Sequence, residues 1–120
     1  MTIALWIINV ILALVFLGAG GMHAFQSQEK LVASGMGWAA DCSPALIKTI
    51  GWLEILGAIG LIVPMATDIA PILTPLAAIG LAVVMSGAVV THARRKESVT
   101  TEAILVVLAI ASAVIGFIAI

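Results

Sequence analysis

Five side chains in this 120-residue chain have the type and placement to do chemistry: Asn9, His23, Glu54, His92 and Arg94. Glu54 is the most informative. It stands in Gly51-Trp52-Leu53-Glu54-Ile55-Leu56-Gly57, an otherwise apolar run. A carboxyl group at the centre of a membrane helix costs ~2.5–3.5 kcal/mol on insertion scales, so a residue there marks a functional site or a hydrogen bond between helices. On a helix its neighbours along one face are Gly51, Gly57 and Ala58, a small-residue face that packs against other helices and turns Glu54 inward. Histidine is the side chain whose charge changes most readily near neutral pH. A Glu with a His as counterpart could therefore exchange protons with a substrate as general acid and base, with Glu54, His92 and His23 as the catalytic candidates. Asn9, Glu54, His92 and Arg94 are the candidates for ligand binding. The histidines also have a plainer reading as interfacial residues touching water and headgroups.

The elements that carry these residues follow from composition. Apolar residues make up 63% of the chain and charged residues 9%, against ~25% charged in an ordinary soluble domain. Five basic and six acidic side chains cannot cover a soluble globule of this size. A nucleic-acid binder would need a basic face, and a disordered segment would be poor in apolar residues. One Cys leaves no intrachain disulfide and no Cys-based zinc site, and no metal site is expected. The chain reads as an all-α membrane protein.

Residues 1–28, 69–93 and 103–120 carry no Asp, Glu, Lys or Arg, and each supplies the ~20 apolar residues that a span needs. Runs such as Ile3–Phe25 do not alternate as barrel strands would. A fourth span starts at Ser43-Pro44, where Ser caps free N–H groups and Pro occupies the first helical position, and runs to Pro64. The expected architecture is a single domain, residues 1–120, formed by a four-transmembrane-helix bundle with spans at about 3–25, 44–64, 71–92 and 102–120. Pro75 is a candidate kink. Residues 1–21 do not fit a cleaved signal peptide, because the basic n-region is lacking and the apolar stretch is too long.

Lys30, Arg94, Arg95 and Lys96 fall in segments 26–43 and 93–101, while the N-terminal segment, residues 65–70 and the C-terminal segment have no Lys or Arg. The positive-inside rule makes 26–43 and 93–101 cytoplasmic and places both termini outside. Arg94-Arg95-Lys96 reads first as a topology signal and could also contact anionic lipid. Small residues three or four apart on every span predict close packing, with enough left over for a homodimer interface. Trp6 suits the outer interface, and the loop holding Gly35-Met36-Gly37-Trp38 is apolar enough to lie on the membrane or fold back over the bundle. Lys48 is six residues before Glu54 and on another face, so it should snorkel to the inner surface.

His23 shares a face with Asn9, Ala13, Phe16 and Gly20, and His92 with Leu81, Met85 and Ala88. If these faces point inward, a polar track runs from Asn9 through Glu54 to two histidines at the inner mouth. Depth stands against direct contact. Glu54 is ~15 Å into its helix, whereas His23 and His92 end theirs, so contact would need tilt, stagger or bridging water.

Gly35-Met36-Gly37-Trp38-Ala39-Ala40, the segment Ile50 to Pro64 and the segment Gly80 to Arg94 resemble the DoxX-like membrane proteins, and the resemblance covers nearly the whole chain. It implies a four-helix bundle in the bacterial cytoplasmic (inner) membrane, with Glu54, His92 and Arg94 carried over by position. The family pattern often has Lys where this chain has His23. The resemblance implies an accessory or quinone-linked oxidoreductase subunit that binds a lipophilic molecule, such as a quinone, near Glu54. No flavin or iron–sulfur motif is present, so electrons would come from an oxidoreductase partner. Two histidines alone are too weak a pattern for haem. Three alternatives stand beside this one. The first is a stand-alone membrane enzyme using the Glu/His pair on an apolar substrate. The second is a small proton-coupled exporter, although such exporters carry their Glu in the first helix. The third is a structural or assembly role. Expected partners are membrane lipids, a lipophilic small molecule and a second copy of the chain, and no nucleic acid.

Overall fold

The computed structural model describes residues 2–120. Four long helices run through the molecule: α1 Thr2–Phe25, α3 Pro44–Thr67, α4 Leu73–Arg94 and α5 Thr100–Ala119. Between α1 and α3 lie a short helix, α2 Gln28–Ala33, and a 3₁₀ turn, Gly37–Asp41. No strand occurs among the described residues. The four long helices have 24, 24, 22 and 20 residues. At ~1.5 Å of rise per residue each is long enough to cross a hydrocarbon core of ~30 Å. Large apolar side chains such as Ile3, Leu14, Leu56, Val83 and Ile118 point outward, as a lipid-facing surface requires.

The helix boundaries follow local chemistry. The Ser43 hydroxyl accepts a hydrogen bond from the Leu46 N–H at 3.2 Å, and Pro44 takes the first helical position of α3. Pro64 does not end that helix. It lies inside α3, which continues to Thr67 and stops at Asp68, whose φ of 55° cannot continue a right-handed helix. Helix α4 starts at Leu73, so Pro71 lies in the preceding turn and Pro75 is the third helical residue, where it has no intrahelical bond to break. Helix α5 starts two residues before its expected position.

Helix α1 packs along α3, and α4 packs along α5 and α3. Leu12, Ala13, Phe16, Ala58, Leu61, Ala78, Leu81, Met85 and Ala113 form the central core, drawn from all four long helices. Near one end Gly20 and Gly51 bring α1 and α3 together. A Cβ on Gly51 would lie 2.5 Å from the Ala24 nitrogen and 2.8 Å from the Gly20 carbonyl oxygen, so only glycine fits between these backbones.

Toward the other end Asn9 ties three helices. Its amide donates to the Leu61 carbonyl at 2.9 Å, and its carbonyl oxygen accepts from the Ser112 hydroxyl at 2.5 Å. The segment 28–41 folds back over the end of the bundle near Gly51. It forms a second small core, Leu31, Ala39 and Ile47, against which Met22, Met36, Trp38 and Cys42 pack.

Candidate functional site

His23 and Glu54 are in direct contact. The His23 Nδ1 lies 2.7 Å from Glu54 Oε1, and both side chains are buried. The depth that seemed to separate them is closed in two ways. Helix α3 is staggered so that Glu54 faces Gly20, three residues or ~4.5 Å of rise from His23. The two helices are also antiparallel. Side chains lean toward the N-terminus of their own helix, so His23 leans into the bundle while Glu54 leans out toward it. The second carboxyl oxygen, Glu54 Oε2, is buried and has no hydrogen-bond partner among the described residues. Lys48 is not part of this pair. Its ammonium donates to the Ala24 carbonyl at 3.4 Å, in the last turn of α1, where a cation complements the helix dipole.

Trp38 joins the two histidines. Its ring lies edge-on to His23, with centroids 5.2 Å apart, and edge-on to His92 at 6.5 Å. The indole thus stands where a group bridging both histidines would have to sit. No cluster of three or more His, Cys, Asp or Glu able to hold a metal occurs among the described residues.

His92 has both ring nitrogens near carboxylates: Nδ1 is 3.2 Å from Glu97 Oε1, and Nε2 is 3.4 Å from Glu102 Oε1. Glu97 also accepts from Arg95 Nε at 3.1 Å, and Arg95 Nη1 pairs with Asp41 on the 3₁₀ turn. The Gln28 amide donates to the carbonyls of Ala39 and Cys42 at 2.7 and 2.8 Å, which fixes the folded-back segment on its other side.

The candidate residues therefore separate into three places. His23 and Glu54 pair inside the bundle. His92 sits one indole away at its end. Asn9 bonds Leu61, seven residues or ~10 Å of rise from Glu54, and belongs to the helix staple. Arg94 is exposed and makes no ion pair among the described residues, whereas its neighbour Arg95 makes two. Sequence reasoning missed Trp38 as the bridge and Arg95, Glu97 and Glu102 as the polar frame of His92. The apolar Gly-Met-Gly-Trp stretch and the two acids five and ten residues after His92 are the signals that pointed there.

An apolar groove runs along the α3/α4 seam. Its longer part, about 750 Å³, is walled by residues such as Leu53, Gly60, Leu76 and Gly80. A narrower part of about 260 Å³ lies between Leu46 and Ile50 of α3 and Ala88 and Thr91 of α4, with Trp38, Cys42 and His92 at its end. Val83 and Val84 line both parts, so the two adjoin each other. Glu54 lines neither part, because its face of α3 is turned to α1.

No curated protein and no solved structure matches this chain. The model of the DoxX-like family matches residues 7–114. With four apolar helices of spanning length and a family match over most of its length, the chain belongs to the DoxX-like family of multi-pass membrane proteins.

Proposed function

We propose that this protein is a membrane-embedded binding subunit for a lipophilic molecule with a ring head and a long apolar tail, the chemistry of a membrane quinone. It would act as accessory to an oxidoreductase partner that supplies electrons. The observation that carries this reading is the α3/α4 groove with its two adjoining parts. Its long apolar part suits a tail lying against lipid, and its narrow part ends at the imidazole of His92, the Thr91 hydroxyl and the Trp38 indole. Ligand sites are mostly apolar concavities with a few polar groups that fix orientation. In this reading the His92 Nε2, which lies 3.4 Å from Glu102, exchanges that contact for a hydrogen bond to a carbonyl of the head, and Trp38 packs on the ring. The His23–Glu54 pair holds Trp38 from behind and is a positioning element. A stand-alone acid–base enzyme built on Glu54 is less well supported, because Glu54 faces away from the groove.

The protein is proposed to lie in the bacterial inner membrane with segments 26–43 and 93–101 in the cytoplasm, and a homodimer is its proposed state. The test uses a chain in which Trp6 and Trp52 are Phe, leaving Trp38 as the only indole. Titration with a short-chain ubiquinone analogue in lipid nanodiscs should quench Trp38 saturably. His92→Ala should weaken the midpoint about tenfold, the value of one hydrogen bond to a well-placed polar group. Gly87→Phe, which fills open space in the groove, should abolish saturation. Quenching that rises linearly and equally in all three proteins would show partition into lipid only and overturn the reading.

A further inference from the structure

At the end of the bundle opposite the histidines, a second cavity of about 320 Å³ opens among the ends of α1, α3, α4 and α5. Leu5, Met65, Pro75 and Gly116 form part of its wall, and Asp68 and Thr74 are its polar residues beside Thr2. Its size is at the lower limit of ligand pockets, ~300–1,000 Å³.

Thr74 is the anomaly. Thr49, Thr67, Ser86 and Thr91 each donate to the carbonyl four residues back in their helix. The buried Ser112 hydroxyl donates to Asn9. Thr74 is 2% exposed, and its hydroxyl has no partner among the described residues. Leaving a buried hydroxyl unpaired costs ~1–3 kcal/mol, so such a group in a cavity wall favours any occupant whose atom can complete the bond. The second observation is electrostatic. Asp68 is the only Asp, Glu, Lys or Arg between Glu54 and Arg94, and residues 2–28 and 103–120 carry none. That end of the molecule thus presents a carboxylate with no basic side chain near it in sequence, on a rim of low-dielectric apolar walls that strengthen its field.

We infer that this cavity is a binding site for a small primary ammonium group, with Asp68 supplying the countercharge and the Thr74 hydroxyl accepting an N–H. An ammonium is preferred to a metal ion because one carboxylate and one hydroxyl are too few ligands for a hard cation, which takes six or more oxygens. It is preferred to a quaternary amine because a quaternary nitrogen has no N–H to offer the Thr74 hydroxyl. The ammonium could arrive as a free amine or as the ethanolamine headgroup of a phospholipid, and both have the same chemistry. The site does not depend on the groove proposal.

Met65 lines this cavity and Met85 is buried in the central core, so the full chain with ¹³C-methyl methionine carries its own reporter and its own control. In nanodiscs of phosphatidylglycerol, ethanolamine should shift the Met65 methyl resonance saturably and leave Met85 in place. Asp68→Asn and Thr74→Val should each raise the midpoint about tenfold, as expected for loss of a charge-assisted hydrogen bond, while Thr74→Ser should restore wild-type binding. An unchanged Met85 signal in each variant verifies that the bundle is folded. A shift seen only when phosphatidylethanolamine is added to the nanodisc supports the same site with a lipid as its source. The inference is overturned if neither source gives a saturable shift. It also fails if tetramethylammonium, which has charge but no N–H, binds as well as ethanolamine, or if both substitutions leave the midpoint unchanged.

Discussion

Glu54 and His23 make one buried hydrogen bond, and their worth to the fold is set by what each would be without the other. An average hydrogen bond between membrane helices contributes only ~0.6 kcal/mol, because the separated helices also find partners. Stranding one member of a buried ion pair costs ~3–5 kcal/mol. Glu54 is fully enclosed and already has one oxygen without a partner among the described residues, so the second magnitude should weigh more heavily on it. His23→Leu is therefore expected to destabilise the bundle by ~2–3 kcal/mol, between those limits and closer to the larger. The double variant His23→Leu/Glu54→Leu should recover most of that loss, because no polar group is then left buried. His23→Lys should be close to wild type, since a cation leaning from the same turn of α1 can reach the same oxygen. Reversible unfolding in mixed micelles, followed by far-UV circular dichroism, measures all three, and equal losses in the single and double variants would show that the pair is not coupled. The existence of a membrane carboxyl was legible in the sequence, and so was the His23 face. Their contact was not, because helix stagger and the opposed lean of side chains on antiparallel helices leave no mark on a single span.

At the scale of elements, glycine alone does not mark a helix contact, and the eleven glycines divide by what surrounds them. Gly51 meets fixed backbone on α1 at 2.5–2.9 Å, Gly57 meets the flexible end of Leu81 at 2.6 Å, and Gly18 and Gly80 meet nothing within 4 Å. The predicted order of stability follows directly. Gly51→Ala must push α1 off α3 and should cost ~1–3 kcal/mol or more, the range for overpacking. It should also break the His23–Glu54 contact. Gly57→Ala should cost less, because Leu81 can change rotamer. Gly18→Ala and Gly80→Ala should be neutral or gain ~0.5–1 kcal/mol from better helix propensity. The same unfolding measurement ranks them, and a Gly80→Ala loss as large as that of Gly51→Ala would contradict the packing. The spans themselves were readable, because hydropathy and the Ser43-Pro44 start act within each segment. Helix α2 and the 3₁₀ turn were not, since six and five residues carry too little periodicity and hold their shape through Gln28, Leu31 and Trp38 contacts made across the fold.

At the scale of the whole molecule, the charges divide between the two ends. Lys30, Lys48, Arg94, Arg95 and Lys96 all cluster with the folded-back segment, while Asp68 stands at the far end. The proposed orientation, with that segment in the cytoplasm, rests on the positive-inside rule. The chain carries its own probe of this, because Cys42 is the single cysteine, is partly exposed and follows the 3₁₀ turn. In membrane vesicles a maleimide that cannot cross lipid should label Cys42 when the cytoplasmic face is outward and not when it is inward. The rate of labelling also reads how firmly the segment is closed. Arg95 pairs with Asp41 and packs against Gly37, whose Cβ would lie 2.9 Å from the guanidinium. Both partners are substantially exposed, so the pair should contribute no more than ~1 kcal/mol. Arg95→Ala should therefore raise the labelling rate of Cys42 by up to about fivefold, the population shift that 1 kcal/mol allows. A far larger increase would mean that Arg95 holds the segment through more than this pair. No increase would mean that Gln28 and the Leu31–Ala39–Ile47 cluster hold it unaided. Labelling only from the opposite face would reverse the orientation of the entire bundle and place the ammonium cavity, instead of the histidines, toward the cell interior.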